Sequence, residues 1–354
     1  MNDQPAMTVL SRSKRATARD VARLAGVVQS TVSRVLNNAP NVDPELRARV
    51  LNAVTALNYR PLQAARALAL ERHETIGVVV DEELLGYYYG AALLSGASLA
   101  AADRGWRMQM CAVRTPATLQ DCEALPVFRT RSMDGVLLDV TPASTLLEDL
   151  LARAGIAYVS VNPSGDHTHN AIMLDDIGVA QQAAEYLIAR GHRRIAYVPF
   201  HQQEHSSHLK RMQGYVRALT AAGLQPLPLW DQPLPPPDET PQELHRRLAY
   251  WQTACGCTAL LTYNGTLAPR VFCACCELNW RIPEAVSLMS CDTSPALGLL
   301  PKIVTHMALE RIDMGRRAVA LLAQRLIAQA DVPSITLQGE LREGATVMPP
   351  ASST

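Results

Sequence analysis

The sequence predicts a two-part fold, a small all-α helix-turn-helix head followed by an α/β body of two parallel-sheet subdomains. Three observations predict it. Two short helix patterns meet at a single glycine between Thr17 and Asn37, T-A-R-D-V-A-R-L-A-G-V-V-Q-S-T-V-S-R-V-L-N. From Ile76 onward, short runs of β-branched residues alternate with helical patterns. Charge divides at the same place: residues 1–72 hold eleven Lys and Arg against five Asp and Glu, a net of +6, and because the whole chain is formally neutral the remainder carries −6. A basic head on an acidic body points to a head that binds a polyanion.

Residues 1–16 are polar and basic and read as a flexible arm, in which Arg12, Lys14 and Arg15 are placed to touch phosphates. Thr17 followed three residues later by Asp20 is a capping-box arrangement and starts a helix. Val21, Leu24 and Ala25 share one face of it, and Gly26 tolerates the left-handed conformation that ends it. Beyond the turn, Val32, Val35 and Leu36 repeat the apolar spacing. Gln29, Ser30, Ser33 and Arg34 then point elsewhere, a set suited to base edges and phosphates, although a small helical hairpin with a solvated face has the same pattern. Asp43-Pro44 starts a third helix with Val50, Ala53, Val54 and Leu57 as its stripe, and Asn58-Tyr59-Arg60-Pro61 ends it.

The body begins with the apolar run Ile76–Val80, a helix around Ala91–Arg104 and the run Met108–Val113, a first β-α-β unit. Gly135–Leu138, Ala157–Val161 and Ala171–Leu174 read as further strands, with a helix over Leu146–Ala154. A second half follows. It comprises helix Ile177–Arg190, strand Ile195–Val198, helix Arg211–Ala222, strand Ala259–Thr262, helix Ala268–Leu278 and strand Val286–Ser290. Two open parallel sheets facing each other make a cleft, and ligands bind beyond the carboxyl ends of such strands. Pro226–Pro241, with seven prolines, reads as a surface loop, and Met307–Ala330 as one long helix.

At 354 residues and 48% hydrophobic content the chain has room for two or three folding units. No apolar run approaches the roughly 18 residues of a membrane span. Without an apolar stretch in residues 1–16 no secretory signal is expected, which places the protein in the cytoplasm and its eight cysteines in the reduced state.

The ordered stretch D20-V-A-R-L-A-G-V…T31-V-S-R-V-L-N37, then V42-D-P-E-L-R, L57-N-Y-R-P61 and A65-R-A-L68, resembles the DNA-binding head of the LacI/GalR family of bacterial transcriptional regulators. The resemblance continues through G191-H-R-R-I-A196 and R211-M-Q-G-Y215 to Leu341-Arg342. It implies a periplasmic-binding-protein-like body and a hinge helix between head and body. The expected divisions are 1–16 arm, 17–61 head, 62–74 hinge helix and linker, and 75–354 effector-binding and dimerisation domain. Within the last, 75–174 pairs with 305–332 and 175–304 with 333–354. After Leu341-Arg342 twelve residues remain, too few for the tetramer-forming helix of some relatives, so the expected partners are a second copy as a homodimer, a palindromic double-stranded operator and a small-molecule effector, with no cofactor and no membrane.

By the same resemblance Gln29 and Ser30 read major-groove base edges, with Arg34 one turn later, while Thr17, Thr31, Ser33 and Asn37 anchor phosphates. Ala65 and Leu68 belong to the hinge helix, Leu68 as the apolar wedge that enters the minor groove. Two departures stand out. Val28 replaces the usual Ser before the specificity positions and cannot cap, and Leu62 stands where relatives carry Asn. In the body, Arg211 and Asp292 match the effector-binding arginine and aspartate. Asn162 and Asn264 replace aspartates of sugar-binding relatives, which removes two carboxylates and, with His192, His201, His205 and His208 near Arg211, favours an anionic effector, a sugar acid or sugar phosphate. Within Tyr87–Tyr89, Tyr88 either stacks on a sugar ring or packs against the body.

Two other functions compete. An enzyme would work through the Cys/His-rich second half, with the head targeting it to DNA, but no G-x-S-x-G, P-loop or paired-carboxylate signature supports it. A periplasmic binding protein is opposed by the basic head. His201-x-x-x-His205-x-x-His208 has metal-like spacing, whereas Cys255-Gly-Cys257 and Cys273-Ala-Cys275-Cys276 fit no common zinc pattern, and no metal site is assigned.

Overall fold

The computed structural model describes residues 16–36, 39–59, 72–81, 88–114, 117–130, 132–140, 144–165, 167–199, 206–232, 234 and 241–351. Asn37, the hinge segment 62–70 with Ala65 and Leu68, His201, His205 and the side chain of Tyr88 lie outside them. After His73 the chain divides into two compact units.

The first unit is the head: α1 (Ala18–Ala25), α2 (Gln29–Leu36) and α3 (Pro44–Ala56). Its core is small and built from Val21, Ala22, Ala25, Val32, Val35, Val50 and Ala53. Three of these are alanines, so helix axes approach closely and the buried valines supply most of the apolar area, about 1.5–3 kcal/mol each. Leu24, which the spacing placed on the buried face, is 56% exposed, and Ala22 takes that place. With eight residues, α1 has room for two turns, and the narrow core selects the small side chain.

The second unit holds strands β1 (Thr75–Asp81), β2 (Arg107–Val113), β3 (Gly135–Asp139), β4 (Ala157–Val161), β5 (Ala171–Leu174), β6 (Ile195–Val198), β7 (Ala259–Thr262), β8 (Ser287–Ser290), β9 (Thr305–Ala308), β10 (Ile335–Leu337) and β11 (Glu340–Arg342). They form two sheets, in the orders β10-β5-β4-β3-β1-β2 and β11-β9-β8-β7-β6. Every pairing is parallel except β9 with β11. Covering helices are α4 (Tyr88–Asp103), α5 (Leu119–Glu123), α6 (Pro126–Thr130), α7 (Ser144–Arg153), α8 (Asp176–Ala189), α9 (Ser206–Ala221), α10 (Pro241–Thr253), α11 (Leu267–Glu277) and α12 (Arg311–Ala328). β1 and β3 are buried throughout, the mark of strands covered on both faces.

The crossings between lobes differ from expectation. β9 belongs to the second sheet and β10 to the first, so the chain changes lobe near 309–310 and 338–339 rather than at 304/305 and 332/333. The long helix expected from Met307 is strand β9 followed by α12. Thr305 and His306 pair with β8, and a short buried apolar run does not distinguish strand from helix by period alone. Pro241 opens a helix that the proline count concealed, since proline is well tolerated at a first helical position. On the first lobe α4 and α12 cross at Gly96 and Gly315. A Cβ on Gly96 would lie 1.9 Å from the Ile312 carbonyl oxygen and one on Gly315 2.1 Å from that of Leu93, so backbone meets backbone there. That crossing fixes where Arg311, the first residue of α12, enters the cleft.

Candidate DNA-binding face and charged cleft

Thr17 caps α1: its Oγ1 accepts from the Asp20 amide at 3.3 Å and donates to Asp20 Oδ2 at 2.7 Å, and the same carboxylate accepts from the Thr17 amide at 2.9 Å. The residue expected to anchor a phosphate thus also holds the helix start. Gly26 has φ 64 and ψ 40, the left-handed cap the turn requires. Arg49 donates to the Ala25 carbonyl at 2.6 Å and Arg47 to that of Ala39 at 2.8 Å. Two of the head's cations therefore satisfy backbone carbonyls, Arg49 at the end of α1 and Arg47 in the segment between α2 and α3.

The second helix begins at Gln29 without a side-chain cap. Val28 contributes its carbonyl, which accepts from the Thr31 and Val32 amides at 3.0 and 3.4 Å, while its side chain is 67% exposed. Gln29, Ser30, Ser33 and Arg34 are exposed and Thr31 is half-buried. One Arg34 nitrogen donates to the Asn41 carbonyl at 3.0 Å, which orients a guanidinium that retains further N–H groups.

In the body the charged groups gather where strands end. Asp81 closes β1, Asp139 closes β3, and Asn162, Tyr263 and Asp292 follow β4, β7 and β8 within two residues. Arg211 of α9 is 1% exposed; its Nε donates to Asp176 Oδ1 at 2.8 Å, one terminal nitrogen to the Tyr263 carbonyl at 2.8 Å and the other to Asp292 Oδ2 at 3.2 Å. Burial favours the neutral guanidine, but Asp176 and Asp292 outweigh it and hold Arg211 charged well above its ordinary pKa. Arg311 reaches the same Asp292 oxygen at 2.7 Å and stacks over the Tyr89 ring, 4.5 Å from its centroid. Tyr89 donates to Asp139 Oδ1 at 3.2 Å. Burial pushes the Asp139 carboxyl up to about 7, against the lowering influence of the Tyr89 hydrogen bond and Arg311, and with a further rise from Asp81.

The structure thus brings Arg211 and Asp292 together and gives Asn162 and Asn264 more local tasks. Asn162 donates to Ser207 Oγ at 2.7 Å and accepts from the Leu174 amide, linking the end of β4 to α9. Asn264 accepts from the Leu267 amide at 2.9 Å and so caps the start of α11. Sequence reasoning missed Asp139, Asp176 and Arg311, and Tyr89 entered it only as part of the Tyr87–Tyr89 run. The rule that ligands sit beyond strand carboxyl ends, applied to the ends of β1 and β3, would have found Asp81 and Asp139; Arg311 had no such signal, because the strand before it was read as helix. Asp81, Asp176 and Asp292, with Asp139 titrating near 7, stand against the two guanidiniums, so replacing aspartate at 162 and 264 does not leave this cleft cationic.

Other features lie apart from it. A groove of about 670 Å³ runs along the opposite face of α9, lined by Leu209, Met212, Val216 and Trp230 among others. All eight cysteines are free, and burial pushes the thiols of Cys257, Cys275 and Cys291 up to about 12, which suppresses the reactive thiolate. Among the described residues no three His, Cys, Asp or Glu side chains are placed to hold a metal ion, and no helix is long and apolar enough to cross a membrane.

Comparison with known proteins agrees with both units. Residues 17–62 match bacterial regulatory proteins of the lacI family, and residues 184–347 a periplasmic binding protein-like domain. The HTH-type transcriptional regulator CelR of Thermobifida fusca is 30% identical over 339 residues, covering 92% of this chain and 96% of that protein. A solved structure of a transcriptional regulator CelR–cellobiose complex superposes with a TM-score of 0.68 at 26% identity, covering 94% of this chain and all of the other. The lac repressor dimer bound to operator and the anti-inducer ONPF shares the fold, with a TM-score of 0.81 at 22% identity over 95% of this chain and all of that one. With a capped helix-turn-helix head and a two-lobed parallel-sheet body both matched along nearly their whole length, the chain belongs to the lacI family of bacterial regulatory proteins.

Proposed function

We propose that this protein is a cytoplasmic, sequence-specific repressor that binds a palindromic operator as a homodimer and whose operator affinity is set by a small sugar-like effector held between the lobes of the body. The observation that carries the reading is the exposed row Gln29, Ser30, Ser33 and Arg34 on α2 of a lacI-type head. A glutamine at the start of a helix and an arginine in its last turn suit adenine and guanine edges, each pairing worth roughly 1–3 kcal/mol of discrimination. Two heads on a two-fold axis double the contact area and call for a palindromic site. The cellobiose bound by CelR supports a sugar-like ligand, and the polar cleft is built for hydrogen bonding. An anionic sugar, expected from Asn162 and Asn264, meets the excess of carboxylates just described.

Gel shifts on DNA upstream of the adjacent genes, titrated with salt, test the reading. A footprinted palindrome bound at physiological salt is expected, and Gln29→Ala should change which half-site is preferred while leaving the salt slope unaltered. Binding of all sequences alike at that salt excludes a specific regulator.

A further inference from the structure

We propose that the groove on the outer face of α9 is a second ligand site, separate from the cleft, and that it takes a planar aromatic carboxylate. Helical spacing makes the groove. Leu209, Met212, Val216 and Thr220 follow one another at steps of three and four residues and line it, with Gln213 and Arg217 along one edge. Arg211 and Tyr215 are buried on the other side of the same helix, so the groove and the cleft can be filled at once. Trp230, from the segment beyond α9, supplies the remaining wall. Its ring packs on that of Tyr215, 5.9 Å between centroids, and Tyr215 is itself fixed by donating to the Ile195 carbonyl at 2.8 Å. The indole is therefore held in place before any ligand arrives.

Size and charge select the occupant. At about 670 Å³ the groove lies within the roughly 300–1,000 Å³ of small-molecule pockets, and its eight lining residues fall short of the roughly 20–30 a side of a stable protein interface. Leu209 is 56% exposed, apolar surface that a flat ring would cover while it stacks on Trp230 and meets the Met212 sulfur. Arg217 decides the charge. It is exposed and makes no hydrogen bond or ion pair with a described residue, so its fork of donors is open to a carboxylate in bidentate fashion, a geometry that an alcohol cannot use. Lys210, two helical turns earlier on the same edge of α9, adds a second positive charge. An exposed ion pair contributes little alone, and apolar walls alone do not orient a ligand, so the site favours a molecule that carries both a ring and an acid.

The test titrates the full chain with cinnamate, with cinnamyl alcohol as its uncharged counterpart and 3-cyclohexylpropanoate as its saturated one. Binding is read by calorimetry and by the NMR signal of the ¹³C-labelled Met212 methyl group, identified by its loss in Met212→Leu. Cinnamate should bind saturably and shift that signal, with the alcohol and the saturated acid each at least tenfold weaker. Arg217→Gln should weaken cinnamate at least tenfold and bring it level with the alcohol. An exposed helical glutamine costs little stability, so the loss is read in a folded protein, and the comparison of the three probes needs no variant at all. No saturable binding of cinnamate, binding that leaves the Met212 signal unmoved, a counterpart bound as tightly as cinnamate, or an Arg217→Gln chain that binds like the parent overturns the proposal. A Met212 signal that moves with protein concentration in the absence of any probe overturns it as well, and gives the groove to a second copy of the chain.

Discussion

The head and the cleft use the same residue types in opposite states. On α2, Gln29, Ser30, Ser33 and Arg34 lie open to solvent. In the body, Arg211, Asp176, Asp292 and Arg311 are buried and bonded to one another. A surface that reads DNA keeps its donors hydrated until the duplex arrives, so its side chains contribute little to folding. A sensor cleft is desolvated when the protein folds, and its charges are tolerable there because they are paired. Function and stability are therefore separable in the head and coupled in the cleft.

Two arginines break or sharpen that contrast most strongly. Arg211→Met leaves Asp176 without its guanidinium in a site where its side chain is 1% exposed, and should destabilise the body by about 3–5 kcal/mol in urea unfolding followed by tryptophan fluorescence. Arg34→Met should change stability by no more than about 0.5 kcal/mol and weaken operator binding by tenfold or more. Comparable losses of stability in both variants would erase the distinction between the two regions.

Within the cleft, Asp139 carries a pH signature. Its folded pKa of about 7 lies above the model-peptide carboxylate value of about 3.9, so the native state holds the proton more tightly than the unfolded chain does. Its contribution to stability is greatest below the unfolded value and is lost as pH rises through 7. Asp139→Asn keeps an acceptor for Tyr89 and abolishes the titration. The variant should gain on the parent between pH 4 and 7, by at most about 4 kcal/mol, and hold a constant lead above that. A difference independent of pH would show that the carboxyl is ionised throughout.

The head was legible because its signals are local: Thr17 and Asp20 are three residues apart, Gly26 is a lone glycine between two periodic stretches, and Asp43-Pro44 announces α3. Leu24 escaped because spacing does not say how wide the core is. Most of the body's strands were legible as β-branched runs, but β9, β10 and β11 were not, since four residues in β9 and three each in β10 and β11 show no decisive period and their pairing partners lie elsewhere along the chain. The cleft shows the same limit. Arg211 and Asp292 stand in recognisable motifs, whereas Asp139, Asp176 and Arg311 come from β3, α8 and α12, and their proximity is created by the meeting of two lobes.

The smallest expected effect tests how far the head's function is independent of its local stability. Val28 gives α2 a backbone start and no side-chain cap, so one of the first free amides of the reading helix lacks the acceptor a serine would supply. Val28→Ser should stabilise the first turn by about 1 kcal/mol, slowing hydrogen exchange of the Ser30 and Thr31 amides roughly fivefold. Its effect on operator choice should be smaller than that of replacing Gln29, because a cap orders the helix without presenting a new base-reading group. Exchange that stays at the parent's rate would mean that the Val28 carbonyl, with the Thr31 and Val32 amides on it, already fixes the turn. The open surface of α2 would then be as preorganised as the buried cleft, achieved there with backbone alone.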